Sequence, residues 1–401
     1  MSFAKASVRD AEVAGRRVLV RVDFNVPLAN GEVADDSRIR AALPTLELLR
    51  ERGAKLILVS HLGRPRGPDP ELSTAPVAAN VGELLGVDVR MAPAVVGPDV
   101  ETLAEELGPG DVLMLENSRF EAGETSNDPE FARALARLAD VYVNDAFGAA
   151  HRAHATTDGV AHLLPAYAGL LLEREVEELA AMRDEPTQPM RLVLGGAKVN
   201  DKIGVIEHFL DVADRIMIGG AMAFSFFKQR GVAVGNSLVD DASVEAARGI
   251  LERADGSRCE LMLPTDLVLG REFSAETERR ELDGVEVPDG WMGLDVGART
   301  ATAYAGAIAT AGTVFWNGPM GAFELAPFAA GTRAVAEAMA EAPATTIAGG
   351  GDSVAALEEF GLADEIDWIS TGGGASLELL EGRELPGIAA LLDSEAVSSK
   401  Q

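Results

Sequence analysis

Arg191-Leu-Val-Leu-Gly-Gly-Ala-Lys198-Val-Asn-Asp-Lys202 is the stretch whose reading decides the fold. A short apolar run, cut off by two glycines and followed by a lysine-bearing segment, reads as a buried strand turning sharply towards a helix. The same pattern recurs along the chain. In the first half, candidate strands lie at Arg17 to Val22, Lys55 to Ser60, Val87 to Met91, Val112 to Leu115 and Val141 to Asn144. In the second half they lie at Arg191 to Leu194, Arg215 to Ile218, Glu260 to Leu263, Thr313 to Trp316, Thr345 to Ala348 and Asp367 to Ser370. Segments of helical period separate them, which predicts an α/β protein with doubly wound, Rossmann-like parallel sheets covered by helices on both faces.

The chain has 401 residues, enough for two domains at roughly 100 to 200 residues each. Leu170, Leu171, Leu172, Val176, Leu179 and Met182 recur at helical spacing, and a polar, proline-containing stretch follows from Arg183 to Pro189. This predicts a first domain over 1–169, a connecting helix over 170–185 and a second domain over 186–385. The segment 386–401 packs back on the first domain or frays as a polar tail.

A net charge of -29 with 64 acidic and 35 basic residues argues against nucleic acid or an anionic membrane as partner. Met1 to Gly15 lacks the apolar core of a secretory signal, and no apolar run reaches the length of a membrane span, so the expected location is cytoplasmic. Lysine is scarce against arginine, and the acidic excess is spread along the chain, a pattern resembling proteins of salt-loving archaea. The single cysteine, Cys259, cannot form an intramolecular disulfide and sits at an apolar run that reads as a buried strand.

In open α/β sheets ligands bind beyond the carboxyl ends of the strands, so the residues after each strand carry the chemistry. In the first half these are Asp23-Phe24-Asn25, His61-Leu62-Gly63-Arg64, Glu116-Asn-Ser-Arg119 and Asn144-Asp145, leading on to His151-Arg152-Ala-His154. They are polar and basic in an otherwise acidic protein. Arginine there can grip a phosphate or carboxylate with a bidentate fork, although a surface arginine more often only solvates or pairs with a carboxylate. His61, His151 and His154 share this rim, but without an acidic or cysteine partner at ligand spacing they make a poor zinc site. In the second half the strands are followed by Gly195-Gly-Ala-Lys198, Gly219-Gly220-Ala-Met222, Asn317-Gly-Pro-Met-Gly321, Gly349-Gly350-Gly351-Asp352-Ser353 and Thr371-Gly-Gly-Gly374. One glycine turn is ordinary turn chemistry. Several at successive strand ends suit backbone amides that cradle polyphosphate, with Lys198 and Lys202 as cations and Asp352 as magnesium ligand.

Arg21-Val-Asp23-Phe-Asn25-Val-Pro27, His61-Leu-Gly-Arg64-Pro65, Leu115-Glu-Asn-Ser-Arg119-Phe120, Ala150-His151-Arg152-Ala-His154, the stretch Gly195 to Lys202, Trp316-Asn317-Gly-Pro-Met-Gly-Ala-Phe-Glu324 and Gly349-Gly-Gly-Asp352 resemble, in order, the signature blocks of the phosphoglycerate kinase family. The resemblance implies a first domain for 3-phosphoglycerate or 1,3-bisphosphoglycerate, a second for Mg-ATP or Mg-ADP, and a monomer that closes on its substrates. It implies that Asp23, Phe24 and Asn25 meet the glycerate, that His61, Leu62, Gly63, Arg64, Arg119 and Arg152 hold its phosphate end, and that Arg38 meets the transferring group. Lys202, with Lys198 nearby, would meet that group from the nucleotide side. Asp352 would position magnesium and Glu324 the ribose. Asn317, Gly350, Gly351 and Ser353 would surround the phosphates, and Gly195, Gly219 and Gly220 would line the adenine slot. Ala298 and Ala221 depart from the family pattern of proline and glycine, as does Glu121 to Thr125; none of these removes an implied charge contact.

Two other classes fit less well. A dinucleotide-dependent dehydrogenase lacks its G-x-G-x-x-G with a following acidic residue, and no G-x-x-x-x-G-K-[ST] occurs either. A non-catalytic ligand-binding relative is disfavoured by the joint presence of Arg38, Lys202 and Asp352.

Overall fold

The computed structural model describes residues 3–398. Two compact units emerge: Met1–Glu177 with Arg383–Gln401, and Glu178–Gly382. The division falls inside the helix Leu170–Asp184, and the chain passes between units twice.

The first unit is built on a six-stranded sheet whose order is Val89–Met91, Val112–Met114, Lys55–Val59, Arg17–Arg21, Val141–Asn144 and Ala166–Ala168. Every pairing in it is parallel. Strands covered on both faces should be continuously apolar, and the central ones are: Val18 to Val20 and Leu56 to Val59 are fully buried. Phe24, Ile39, Leu46, Val77 and Val81 pack against them from loops and covering helices.

The second unit repeats the plan with the order Glu260–Met262, Arg215–Ile218, Met190–Leu194, Thr313–Asn317, Thr345–Gly349 and Trp368–Ser370, again all parallel. Numbered along the chain this is 3-2-1-4-5-6, the Rossmann order. In the first unit the same numbering gives 3-4-2-1-5-6. Both orders reverse beside the first strand of the unit, so switch points lie after Arg21 and after Leu194. Trp316 and Phe315 fill the second core, on opposite faces of their strand.

The sequence pattern did not suggest a three-stranded antiparallel sheet, Arg279–Leu282, Leu267–Gly270 and Met292–Val296, beside the second unit's main sheet. Cys259 is buried beside the edge strand that follows it, and burial pushes its thiol up to about 12. The segment up to residue 398 returns to the first unit: Ala6 donates to the Leu392 carbonyl at 2.7 Å, and Asn144 Nδ2 to the Gly387 carbonyl at 2.9 Å. The polar tail expected at the very end lies outside the described residues. No described helix is long and apolar enough to cross a membrane.

Candidate active site

On the first unit, the loops after Arg21, Val59, Met114 and Asn144 bring the predicted basic residues onto the carboxyl edge of the sheet. Arg38 Nη1 donates to Asp23 Oδ2 at 2.9 Å. The other carboxylate oxygen, Asp23 Oδ1, is buried with no hydrogen-bond partner, an unsatisfied acceptor. Asn25 Oδ1 accepts from the Gly63 amide at 2.8 Å. Phe24 is the exception among these residues. Its ring lies wholly in the core, so only its backbone faces the loop, with its amide bonded to Ser60 Oγ at 2.9 Å.

The His61–Arg64 loop is held by a residue the sequence reading passed over. Asn117, fully buried, accepts from the Leu62 amide at 3.1 Å and donates to the carbonyls of Leu62 (2.7 Å) and Leu72 (2.9 Å). Gly63 takes φ +62°, and a side chain there would press on Leu72 at 3.0 Å. Arg119 reaches back to the Gly63 carbonyl. Arg64, Arg119, Arg152 and His154 line one open pocket with Arg66. Burial and the neighbouring Arg152, Arg21 and Arg64 hold the Arg119 guanidinium down to about 10, still charged at neutral pH. Burial first, and then the charges of Arg119, Arg152 and Arg21, bring His154 down to about 4. Burial followed by the charges of Arg21, Arg119, Arg152 and Arg38 keeps His61 well below the usual imidazole range. His61 is therefore neutral, and its 3.7 Å approach to Asp23 is no ion pair. A cluster of guanidiniums and uncharged imidazoles with little carboxylate to neutralise it can bind a compact polyanion.

On the second unit, the glycine turns converge at the switch point. Gly195, Lys198, Lys202, Asn317, Gly350, Gly351, Asp352 and Ser353 line one polar pocket. Lys202 is buried, and Nζ donates to the Asn317 carbonyl at 2.9 Å and also to its side-chain oxygen. Burial pushes this ammonium down to about 8, against the opposing pull of Asp201 and Asp352. Asn317 Nδ2 donates to the Gly349 carbonyl at 2.8 Å, and Ser353 Oγ accepts from the Gly318 amide at 2.6 Å. Both side chains thus also lock the turns to each other. Gly350 has φ +89° and stands against Asn317 Nδ2, where a Cβ would come within 2.8 Å. The helix Gly351–Phe360 starts there, aiming its free amides and positive dipole end at the pocket.

Beside the polar pocket opens an apolar slot of about 490 Å³, walled by Gly196, Gly220, Phe224, Leu267, Met292 and Met320, with Glu324 and Asp352 at its rim. Its walls correct part of the expectation. Gly195 faces the polar pocket, and neither it nor Gly219 lines the slot; Gly220 does. Gly195 and Gly219 are required by packing, since a Cβ would meet the Pro319 carbonyl at 2.0 Å and Met320 Sδ at 2.4 Å respectively. Asp352 borders both cavities. Asp352 and Asp201, both exposed at this pocket beside the free amides of the helix start, fit magnesium, which uses one or two carboxylates together with substrate phosphates.

Arg21, Glu124 and Thr156, all buried around His61 and Arg119, were not among the expected site residues. A charge ending the apolar run of Arg17–Arg21 was the available signal for Arg21. Nothing local marks the other two.

The family model for phosphoglycerate kinase matches residues 8–383. The phosphoglycerate kinase of Roseiflexus castenholzii is 55% identical over 395 residues, covering 98% of this chain and 100% of that protein. That of Rubrobacter xylanophilus is 55% identical over 394 residues with the same coverage. Among solved structures, phosphoglycerate kinase from Coxiella burnetii matches with a TM-score of 0.85 at 38% identity over 99% of both chains. The enzyme from Pyrococcus horikoshii matches with 0.81 at 32% identity, over 98% of this chain and 99% of that one. The relatives at 55% identity are bacterial, so the expected origin among salt-loving archaea is not supported; the acidic excess alone does not carry it.

Proposed function

The chain belongs to the phosphoglycerate kinase family, and from that membership we propose how its two units divide the work. The reaction is reversible transfer of the acyl phosphate of 1,3-bisphosphoglycerate to ADP, giving 3-phosphoglycerate and ATP, a glycolytic step. We assign the acid to the first unit and the nucleotide to the second. The contrast between strand ends carries this assignment: guanidiniums around neutral imidazoles on one unit, glycine turns with a buried Lys202 on the other.

The Asp23 carboxylate accepts from the glycerate hydroxyl, with Asn25 beside it. His61, Arg64, Arg119 and Arg152 hold the phosphate remote from the reacting carboxyl. Arg38 and Lys202, with Lys198 close by, neutralise the group in transfer. The amides of Gly350 and Gly351 take the nucleotide phosphates, the apolar slot takes the base, and Glu324 takes the ribose. Magnesium, held by Asp352 when bound with nucleotide, supplies further neutralisation of phosphate charge.

The acceptor is a carboxylate, ionised at neutral pH because its pKa is near ~4. No general base is needed, and catalysis reduces to in-line positioning and charge stabilisation. With the substrates assigned to different units, transfer requires the units to close and expel water. Small-angle scattering that shows no compaction with both substrates present would contradict closure. We further propose a cytoplasmic monomer. Among the described residues the large exposed apolar side chains are Leu163, Leu238 and Phe273, and the last two border the nucleotide slot.

The direct test is a coupled assay with ATP, magnesium and 3-phosphoglycerate. Turnover that needs all three supports the reading, and no turnover at low or multimolar KCl would sink it.

A further inference from the structure

A run of hydrogen bonds passes behind the basic rim of the first unit. Glu124, wholly buried, accepts from the Thr156 amide at 3.0 Å and from the Thr156 hydroxyl at 2.6 Å. The same hydroxyl oxygen accepts from Arg21 Nε at 2.9 Å, and Arg21 Nη2 lies 3.0 Å from His61 Nδ1. None of the four residues is more than 4% exposed. They come from four separate segments: the turn Ala122–Thr125, the turn Ala155–Gly159, the strand Arg17–Arg21 and the loop after Lys55–Val59.

Each link can run in one direction only. An ionised carboxylate only accepts, so the single hydroxyl hydrogen of Thr156 goes to Glu124, and its oxygen is left to receive Arg21. A guanidinium only donates, so His61 Nδ1 must accept. A neutral imidazole that accepts at Nδ1 carries its hydrogen on Nε2. Asp23 Oδ1 stands 3.7 Å from Nδ1, too far to compete. Burial first, and then the positive charges of Arg21, Arg119, Arg152 and Arg38, keep the ring neutral. Glu124 also balances the buried charge of Arg21, which would otherwise be costly to retain.

We infer that Glu124 and Thr156 are positioning residues for the acid site: acting through Arg21, they hold His61 as the single tautomer that presents an Nε2 hydrogen to an anionic substrate. This rests on the assignment of the acid to the first unit. It adds two residues that touch no substrate.

The test is nitrogen NMR of the full chain labelled at histidine, with kinetics on two variants. In the wild type, His61 should show a protonated Nε2 and a bare Nδ1 from pH 8 down to 5. Thr156→Val keeps the shape but cuts the link; mixed His61 tautomers are expected. KM for 3-phosphoglycerate should rise about tenfold, the scale of losing one hydrogen bond to a charged group, while KM for Mg-ATP holds. Glu124→Gln retains an acceptor for Thr156 and removes the charge, and should shift KM for 3-phosphoglycerate in the same direction. A purely structural role would lower the melting temperature of both variants and leave tautomer and KM ratio alone, which would overturn the inference. So would a wild-type His61 protonated on Nδ1. A wild-type chain without turnover would instead sink the functional reading, since the tautomer is read on the free protein.

Discussion

Lys202 is an ammonium kept where water is scarce, held by two oxygens of Asn317. That makes it strong towards phosphate and expensive to keep charged. Lys202→Ala and Arg38→Ala should each lower turnover by about 10² to 10³, as for loss of one preorganised charge donor. Steady-state rates near wild type in either folded variant would remove that residue from the mechanism. The pH dependence follows from the same burial. The folded value of about 8 lies below the ordinary 10.5, so Lys202 loses its proton as pH rises through about 8. Then kcat/KM for the nucleotide should fall. Over the same window the unfolded chain binds the extra proton, so folding stability contributed by this group increases with pH. Lys202 and Arg119 were legible from sequence because each lies just beyond a strand end. Glu124 and Thr156 were not, since their value comes from contacts with Arg21, distant in sequence.

Among the elements, the helix Leu170–Asp184 has the most exacting start. Asp145 ends the strand Val141–Asn144 and takes the amides of Leu171 and Leu172 on Oδ1 at 2.9 and 3.3 Å. Its Oδ2 has no partner, and Gly169 is obligatory because a Cβ would come within 2.1 Å of Oδ1. Burial outweighs these hydrogen bonds and the one from Thr45, and pushes the carboxyl up to about 7. A folded value above the unfolded one means stability present at low pH and lost as pH rises through about 7. Asp145→Asn keeps an acceptor for both amides and never ionises. Calorimetry should therefore find it more stable than wild type at pH 8, with the gap narrowing as pH falls through about 7 and closing only near the ordinary carboxyl value of 3.8; a variant less stable at pH 8 would contradict this. At this scale, apolar runs such as Leu56 to Val59 identified the parallel strands directly. The antiparallel sheet escaped notice because Arg279–Leu282 is charged and largely exposed, with no apolar face to betray its period.

For the molecule as a whole, a charge of -29 implies self-repulsion that favours expansion. Screening contracts from ~10 Å at 0.1 M salt to ~3 Å at 1 M. The melting temperature should therefore climb between 0.05 and about 1 M KCl, as scanning calorimetry can check. A flat or falling curve would show that the charges are already compensated in the fold. The two-unit plan was legible from chain length and strand spacing, whereas the exact division inside the helix Leu170–Asp184 depends on packing rather than on the proline-containing stretch that follows it.

The return of the last described residues to the first unit also bears on how the protein is made. The second unit is one uninterrupted stretch, Glu178–Gly382, while the first needs Gly387 beside Asn144 and Leu392 beside Ala6 and Ala166. On a ribosome, domains generally fold in the order they emerge. Here the earliest residues must wait for the latest, so the unit begun first is finished last, after the later-born unit has all of its own sequence in hand.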